Sequence, residues 1–119
     1  MLNDNKIIDL LESGMRAEGL RQRAIANNVA NLNTEGFRRS DINFEKILTR
    51  AIEKQDSFDP KQMKIEFVQP KTTPINEFNN DVSLDNETGE MIKNTALHKT
   101  YMLLLKKKYQ QMDLAMRFQ

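Results

Sequence analysis

The chain has 119 residues, of which 39% are hydrophobic and 29% charged, and its formal net charge is +1 at neutral pH. This length suits one small domain, and the apolar fraction is low for a large self-contained core. The charge lacks the basic excess expected of a nucleic-acid-binding protein. Cysteine is absent, which excludes disulfides and thiolate metal ligands. Because charges appear early, residues 1–11 predict neither a cleaved signal peptide nor a transmembrane segment.

A helical spacing of apolar residues predicts a first long helix over residues 1–33. Its apolar stripe, which Glu18 and Gln22 interrupt at the same phase, contains Ile8, Leu11, Met15, Ile25, Val29 and Leu32. Two glycines, Gly14 and Gly19, lie inside this helix, where each costs up to about 1 kcal/mol relative to alanine. They indicate either tolerated surface positions or sites of close helix packing and local flexibility.

Four asparagines crowd the end of this helix, although asparagine is a poor helix former because its amide competes for nearby backbone groups. Asn27 and Asn31 lie four residues apart on one helix face, where they can fix the register against a neighbouring helix. A simpler alternative is that Asn28 is only exposed and Asn33 only caps the helix. The pattern predicts an assembly surface formed by Ile25, Asn27, Val29, Asn31 and Leu32.

Residues 34–54 predict a tight turn followed by a short helix. Asn33 can take the left-handed conformation after the first helix, and Gly36 allows a second unusual backbone angle. The short helix has one apolar face, and its cap is one of the preceding residues Ser40, Asp41 and Asn43. Two phenylalanines flank the turn and are expected to anchor it by burial. The turn motif consists of Asn33, Thr34, Gly36, Phe37 and Phe44.

Residues 55–83 break every helical pattern and predict an extended loop. Three prolines punctuate the chain within this segment, and a segment of this length without regular structure is usually functional or flexible. Met63, Ile65 and Phe67 alternate with charged residues. This alternation predicts at most one short strand, for which the chain offers no partner.

A second long helix is predicted over residues 84–118, with apolar residues at heptad spacing and polar entries among them. The heptad residues expected to contact other subunits are Met91, His98, Met102, Leu105, Tyr109 and Met112. A second stripe carries Leu97, Leu104 and Leu114, so the helix can be covered on two sides. The predicted fold is therefore all-α, with long N- and C-terminal helices that pair as a coiled-coil-like hairpin, a short second helix and an irregular middle loop.

The sequence offers no set of residues for catalysis. His98 is the only histidine, and with no cysteine present it has no partner for a metal site. The sequence contains no glycine-rich phosphate loop, no nucleophile elbow and no H-E-x-x-H pattern. We therefore predict that the protein is not an enzyme and uses no cofactor, no metal and no small-molecule substrate.

The run from Ile25 to Arg38, IANNVANLNTEGFR, resembles the N-terminal signature of the bacterial flagellar rod and hook proteins. In that signature a helix ends in alanine–asparagine repeats, followed by Thr-x-Gly and an aromatic or aliphatic residue. Residues 39–48 and 79–87 also resemble a proximal rod member of this family. Glu35 stands where the family often has proline. The resemblance covers nearly the whole chain and is weakest in the middle loop.

This resemblance implies a structural subunit of the basal-body rod, which spans the periplasm. Such subunits are exported by the flagellar type III apparatus without a cleaved signal, and they polymerise helically through paired terminal helices around an export channel. The implied partners are copies of the chain, other rod proteins, and membrane-ring or adaptor proteins at the base of the rod; no nucleic acid is expected. The alternative function is a small coiled-coil adaptor, or an export-chaperone-like protein, that binds a partner helix.

Overall fold

Two long helices dominate the computed structural model, which describes residues 3–118. The helices are α1 (Asp4–Ala30), α2 (Phe44–Lys54) and α3 (Leu84–Arg117), and two short 3-10 turns follow α2 at Gln55–Ser57 and Pro60–Gln62. The described part of the chain measures 65 × 26 × 16 Å along its principal axes. The predicted all-α fold with long terminal helices is confirmed.

The helices α1 and α3 pair antiparallel. Near the beginning of α1, Lys108 Nζ lies 2.7 Å from a carboxylate oxygen of Asp4. Near its end, Asn28 Nδ2 donates to Glu87 at 3.2 Å. Higher residue numbers in α1 therefore lie opposite lower residue numbers in α3. The two helices run in opposite directions and form the hairpin that the sequence predicts.

Side chains close the two ends of α1. At its start, Asn3 Oδ1 accepts a hydrogen bond from the backbone N–H of Lys6 at 2.8 Å, so Asn3 is the N-cap. At its end, Asn31 Nδ2 donates to the backbone carbonyl of Asn27 at 2.8 Å. The expected left-handed conformation at Asn33 is wrong, because the positive φ of this turn belongs to Gly36, at +75°. The Asn31 side chain thus supplies a donor for the Asn27 carbonyl, and in many helices a residue in the left-handed conformation supplies donors for such terminal carbonyls.

The apolar core is small and lies where the start of α2 packs against the helix pair. Its buried members are Ala17, Ile42, Phe44 and Ile47. Tyr101 of α3 packs edge-on against Phe44, with ring centroids 6.2 Å apart. A Cβ atom at Gly14 would lie 2.8 Å from the Tyr101 ring, whereas one at Gly19 would meet nothing within 4 Å. Close packing therefore explains Gly14, and a tolerated surface position explains Gly19.

A two-stranded antiparallel sheet ties the middle loop to the start of α2. Strand β1 (Asp41–Ile42) pairs with β2 (Phe67–Val68). The expectation that a strand here would have no partner within the chain is wrong. Next to the sheet, the backbone N–H of Asn43 donates to the carbonyl of Glu66, and Asn43 Oδ1 accepts from the N–H of Glu66 at 2.9 Å. A two-residue partner strand is too short to show any alternation in sequence.

Candidate assembly interface

A buried group of polar side chains, which we call the polar joint, connects the end of α1, the turn and the start of α3. It consists of Asn28, Arg39, Asn80, Asp81 and Glu87, each of which is at most 8% exposed. Buried polar groups are costly unless they are hydrogen-bonded. The contacts of each member therefore decide whether the polar joint stabilises the hairpin.

Asn28 binds both the turn and α3 through its side-chain amide. Its Nδ2 donates to the carbonyl of Ser40 at 2.9 Å and to Glu87 Oε2 at 3.2 Å, while its Oδ1 accepts from the N–H of Ser40 at 2.8 Å. A residue at this position must both donate and accept, which an amide does. Asn28 is therefore a structural contact between three segments, and the alternative that it is merely exposed is wrong.

Arg39 and Glu87 form a buried ion pair, in which Arg39 Nε lies 2.7 Å from Glu87 Oε1. Burial by itself lowers the pKa of Arg39, but the hydrogen bond and negative charge of Glu87 outweigh it and hold that pKa above its ordinary value. The backbone N–H of Arg39 donates to a carboxylate oxygen of Asp81. Both charges are thus compensated within the polar joint.

Asn80 holds the turn against the end of α1. Its Nδ2 donates to the carbonyls of Asn31, at 2.9 Å, and Thr34, at 2.8 Å, and its Oδ1 accepts from the N–H of Val82. The helix end leaves carbonyls without intrahelical partners, and Asn80 supplies donors for them. The N–H of Gly36 donates to the carbonyl of Phe78 at 3.1 Å, so a backbone hydrogen bond also joins the turn to the segment that precedes Asn80.

A second buried polar group, the arginine cluster, lies nearer the middle of the helix pair. Its centre is Arg21, whose guanidinium binds Glu18 at 2.8 Å, Asp41 at 2.9 Å and also Glu45. Asn94 of α3 donates to Glu18 Oε2 at 3.0 Å. Burial raises the pKa of Glu18, although Asn94 and Arg21 oppose the shift. This cluster joins α1, α2 and α3 through hydrogen bonds.

The assembly residues predicted at the end of α1 divide between buried and open positions. Ile25 is buried, and Asn31 and Leu32 are half-buried, whereas Asn27 and Val29 are exposed. In the predicted turn motif, Asn33, Thr34 and Gly36 are exposed. Phe37 is half-buried and Phe44 is buried in the core. The open positions at this end of the hairpin are thus mostly polar.

The predicted heptad stripe of α3 lies along the edge of its contact with α1. Four members, Met91, His98, Leu105 and Met112, are half-buried, whereas Met102 and Tyr109 are exposed. Leu105 and these two exposed residues line a shallow groove of about 490 Å³ together with Met15 of α1. The structure therefore brings three of the predicted residues together on one surface.

Several large apolar side chains are exposed in and near this groove, among charged and amide side chains. We define the apolar strip as those that are at least 45% exposed in the second half of α3 and at the residue that follows it, namely Met102, Leu103, Leu104, Tyr109, Leu114, Met116 and Phe118. Within this part of α3, Tyr109 donates through its hydroxyl to Glu12 Oε1 of α1 at 2.8 Å, and Lys108 pairs with Asp4.

The residues that face α1 most directly were not found by sequence reasoning. On α3 they are spaced seven apart, at Glu87, Asn94, Tyr101 and Lys108, and the first two are the residues that are fully buried on this helix. Their partners on α1 are Asn28 for Glu87, Glu18 for Asn94, Gly14 for Tyr101 and Asp4 for Lys108. A search for heptads of polar residues, rather than apolar ones, would have revealed this face of α3.

None of the helices in residues 3–118 combines the length and apolar composition needed to cross a membrane. The same part of the chain contains no group of three or more histidine, aspartate or glutamate side chains arranged to hold a metal ion. The features that stand out are therefore the two buried polar groups and the apolar strip.

Comparison with known proteins places the hairpin in context. Residues 8–38, which include most of α1 and the turn, match the family model described as flagella basal body rod protein. The flagellar basal body rod protein FlgB of Borreliella burgdorferi is 27% identical, over 82% of this chain and 86% of that protein. The flagellar basal-body rod protein FlgG of Caulobacter vibrioides is 44% identical over 45 residues, which are 38% of this chain and 17% of that protein. FlgB of Borrelia hermsii is also 44% identical over 45 residues, covering 38% of this chain and 33% of that protein.

These matches support a flagellar basal-body rod protein, so the resemblance predicted from the sequence is confirmed. The family model falls on the segment that carries Asn28 and the turn motif. Over most of its length, the chain is similar to FlgB.

Proposed function

We propose that the chain is a structural subunit of the proximal part of the flagellar rod and polymerises helically through its terminal helices. The polymer forms part of the drive shaft and encloses the export channel used for flagellar assembly. The observation that carries this proposal is the apolar strip on α3. The family matches support the structural role in the rod, and the strip supports a mode of assembly.

A folded subunit rarely leaves several large apolar side chains exposed close together on one helix without a partner. Burial of such a surface favours association by about 25 cal/mol per Å² of apolar area. When one surface of a subunit binds a different surface of the next, the contacts repeat without closing and produce a helical polymer. The apolar strip and the exposed residues Asn27 and Val29 at the other end of the hairpin supply two such surfaces on one subunit.

The assembly residues belong to this proposal. Met102, Leu105, Tyr109 and Met112 contact a neighbouring subunit along the apolar strip, and Met91 and His98 continue that contact toward the turn. At the other end of the hairpin, Asn27 and Val29 are open to a second neighbour. Ile25, Asn31 and Leu32 support them from partly or fully buried positions, and Phe37 and Phe44 of the turn motif do the same. The other members of the turn motif, Asn33, Thr34 and Gly36, are exposed beside them.

The proposed partners are copies of the chain, other rod proteins, and membrane-ring or adaptor proteins at the base of the rod. We also propose that the chain reaches the periplasm-spanning rod through the flagellar type III export apparatus without a cleaved signal. The polar contacts between α1 and α3 support export, because hydrogen bonds and ion pairs contribute little net stability relative to water. A hairpin of this kind unfolds more readily than one with an apolar seam.

The proposal is tested by replacing two residues of the apolar strip in the bacterium that makes the protein. Met102→Gln together with Leu114→Gln removes apolar area from exposed positions and should leave monomer stability within about 0.5 kcal/mol of wild type. We expect the double variant to lose motility and to give basal bodies without a completed rod in electron micrographs. The purified variant should keep the helical circular dichroism of the wild type.

The matched control is Ile52→Gln, which also replaces an exposed apolar side chain but lies on α2. This control should retain motility and complete rods. Normal rods in the Met102/Leu114 variant would contradict assembly through the strip. A discrete dimer or heterodimer in light scattering, with no polymer, would instead favour the adaptor function.

A further inference from the structure

A groove of about 590 Å³ lies between α2 and residues 57–68, outside both the polar joint and the apolar strip. One wall carries Lys46, Arg50 and Lys54 of α2. The apolar part of its lining is formed by Ile47, Phe58, Met63 and Val68. We call this feature the basic groove.

The three cations of the basic groove form no ion pair with another side chain of residues 3–118. They are spaced four residues apart, so they project from one side of α2 over about 12 Å of helix. All three are exposed, and within residues 3–118 none of them lies in an ion pair. On the opposite wall, Lys64 and Glu66 pair with each other at 3.5 Å. The groove therefore has a row of positive charges beside an apolar lining.

We propose that the basic groove binds an acidic, amphipathic segment of a partner protein. The carboxylates of such a segment pair with Lys46, Arg50 and Lys54. Its apolar side chains pack on Phe58 and Met63, which are half-buried and already contact the core. Charge pairing at the wall fixes the orientation of the segment, and apolar burial adds affinity.

The apolar lining and the charges of the groove distinguish this occupant from a polyanion or a second copy. A phosphate backbone offers negative charge but no apolar side chains to cover Phe58 and Met63. The apolar strip of another copy lies beside three consecutive lysines, at positions 106–108, and like charges would oppose its entry. An acidic amphipathic segment supplies both the carboxylates and the apolar side chains that this lining can bind. The inference does not depend on rod assembly through the terminal helices.

Titration of the full chain with a fluorescent probe tests the proposal. The probe is a twelve-residue peptide in which Glu and Leu alternate, and its reference has Gln in place of every Glu. We expect saturable binding of the acidic peptide that weakens as salt rises and little binding of the reference. Amide shifts in 15N–1H spectra should fall on residues 46–54 and 58–68.

A charge-removed variant and a matched control locate the site. Lys46→Gln, Arg50→Gln and Lys54→Gln together should weaken the acidic peptide about tenfold, since each exposed ion pair contributes modestly. Lys93→Gln, Lys99→Gln and Lys107→Gln remove the same charge from exposed positions of α3 and should change affinity less than twofold. Circular dichroism checks that both variants keep their helices.

Equal affinity of the groove variant and the wild type would overturn the proposal, as would amide shifts that map outside the groove. A twenty-nucleotide single-stranded DNA that binds the groove as tightly as the peptide would identify a polyanion site instead. Self-association in sedimentation that the groove variant abolishes would identify a second copy as the occupant. Since none of these substitutions alters the apolar strip, failure here leaves the rod-assembly experiment unaffected.

Discussion

At the turn end of the helix pair, α1 and α3 meet through Asn28 and Glu87, which are buried and polar. At the opposite end, α3 presents Met102, Leu114 and Phe118, which are apolar and exposed. This arrangement reverses the usual distribution, in which apolar side chains are inside and polar ones outside. The two ends therefore contribute different things to the molecule.

The polar joint determines which residues of the two helices lie opposite each other. A register shift would leave buried donors and charges without partners, and an unpaired buried charge is strongly destabilising. The polar joint adds little net stability compared with apolar packing, but it specifies one arrangement of the two helices. The apolar strip can contribute free energy of burial but specifies no arrangement, since apolar contact is non-directional. In the proposed rod, specificity would thus come from one end of the subunit and association energy from the other.

The largest effect is expected from Glu87→Ala in the polar joint. This change leaves Arg39 buried without its ion-pair partner and removes one acceptor from Asn28. Loss of one member of a buried pair typically lowers the free energy of unfolding by about 3–5 kcal/mol. In a chain of this size, that loss should reduce the helical signal at 222 nm and shift the urea midpoint strongly downward.

The control for this prediction is Asp113→Ala, which removes a carboxylate from the exposed end of the same helix. Asp113 pairs with Arg117 at 2.9 Å, and both side chains are largely exposed, so the expected loss is below about 0.5 kcal/mol. If Asp113→Ala and Glu87→Ala have similar urea midpoints, the two ends of the helix pair do not differ as the structure indicates.

The next largest effect is expected from Gly14→Ala, between the two ends. The new Cβ would lie 2.8 Å from the Tyr101 ring, and relief of such overpacking typically costs about 1–3 kcal/mol. Gly19→Ala on the same helix meets nothing within 4 Å and should stabilise by up to about 1 kcal/mol through helix propensity. The thermal and urea midpoints should therefore both fall for Gly14→Ala and both rise for Gly19→Ala. Stabilisation by both substitutions would show that α1 and α3 are not in close contact at Tyr101.

The helix pair could be predicted from sequence because long helices repeat their pattern many times. Apolar periodicity in residues 1–33 and 84–118 was enough to indicate two helices that pair. Strand β1 has two residues and no repeat, so nothing in the sequence marks it. Its partner β2 was indicated only by the alternation of Met63, Ile65 and Phe67.

The polar joint was missed for a different physical reason. A charged or amide side chain is solvent-exposed by default, and only its partners make burial favourable. The partners of Asn28 lie 12 residues away at Ser40 and 59 residues away at Glu87. In a stripe defined by apolar residues alone, Glu18 is an interruption without a role. In the structure, Glu18 is a buried member of the arginine cluster.

The smallest effect is expected from Glu18→Gln, which tests the arginine cluster by pH. Burial raises the folded-state pKa of Glu18 above the ordinary value of about 4.3, against the opposing effects of Asn94 and Arg21, while the negative charge of Glu45 adds to the rise. Between about pH 4.3 and the raised pKa, the Glu18 carboxyl is protonated in the folded chain but ionised in the unfolded chain. The contribution of Glu18 to the free energy of unfolding therefore grows as pH falls through this window and is lost as pH rises through the folded pKa. Glutamine keeps an acceptor for Asn94 but does not titrate, so wild type should gain stability relative to the variant as pH is lowered from 7 toward 4.3 in urea unfolding. The measured quantity is the difference in free energy of unfolding between wild type and Glu18→Gln. If this difference stays constant with pH, or changes in the opposite direction, the folded state does not disfavour the ionised form of Glu18.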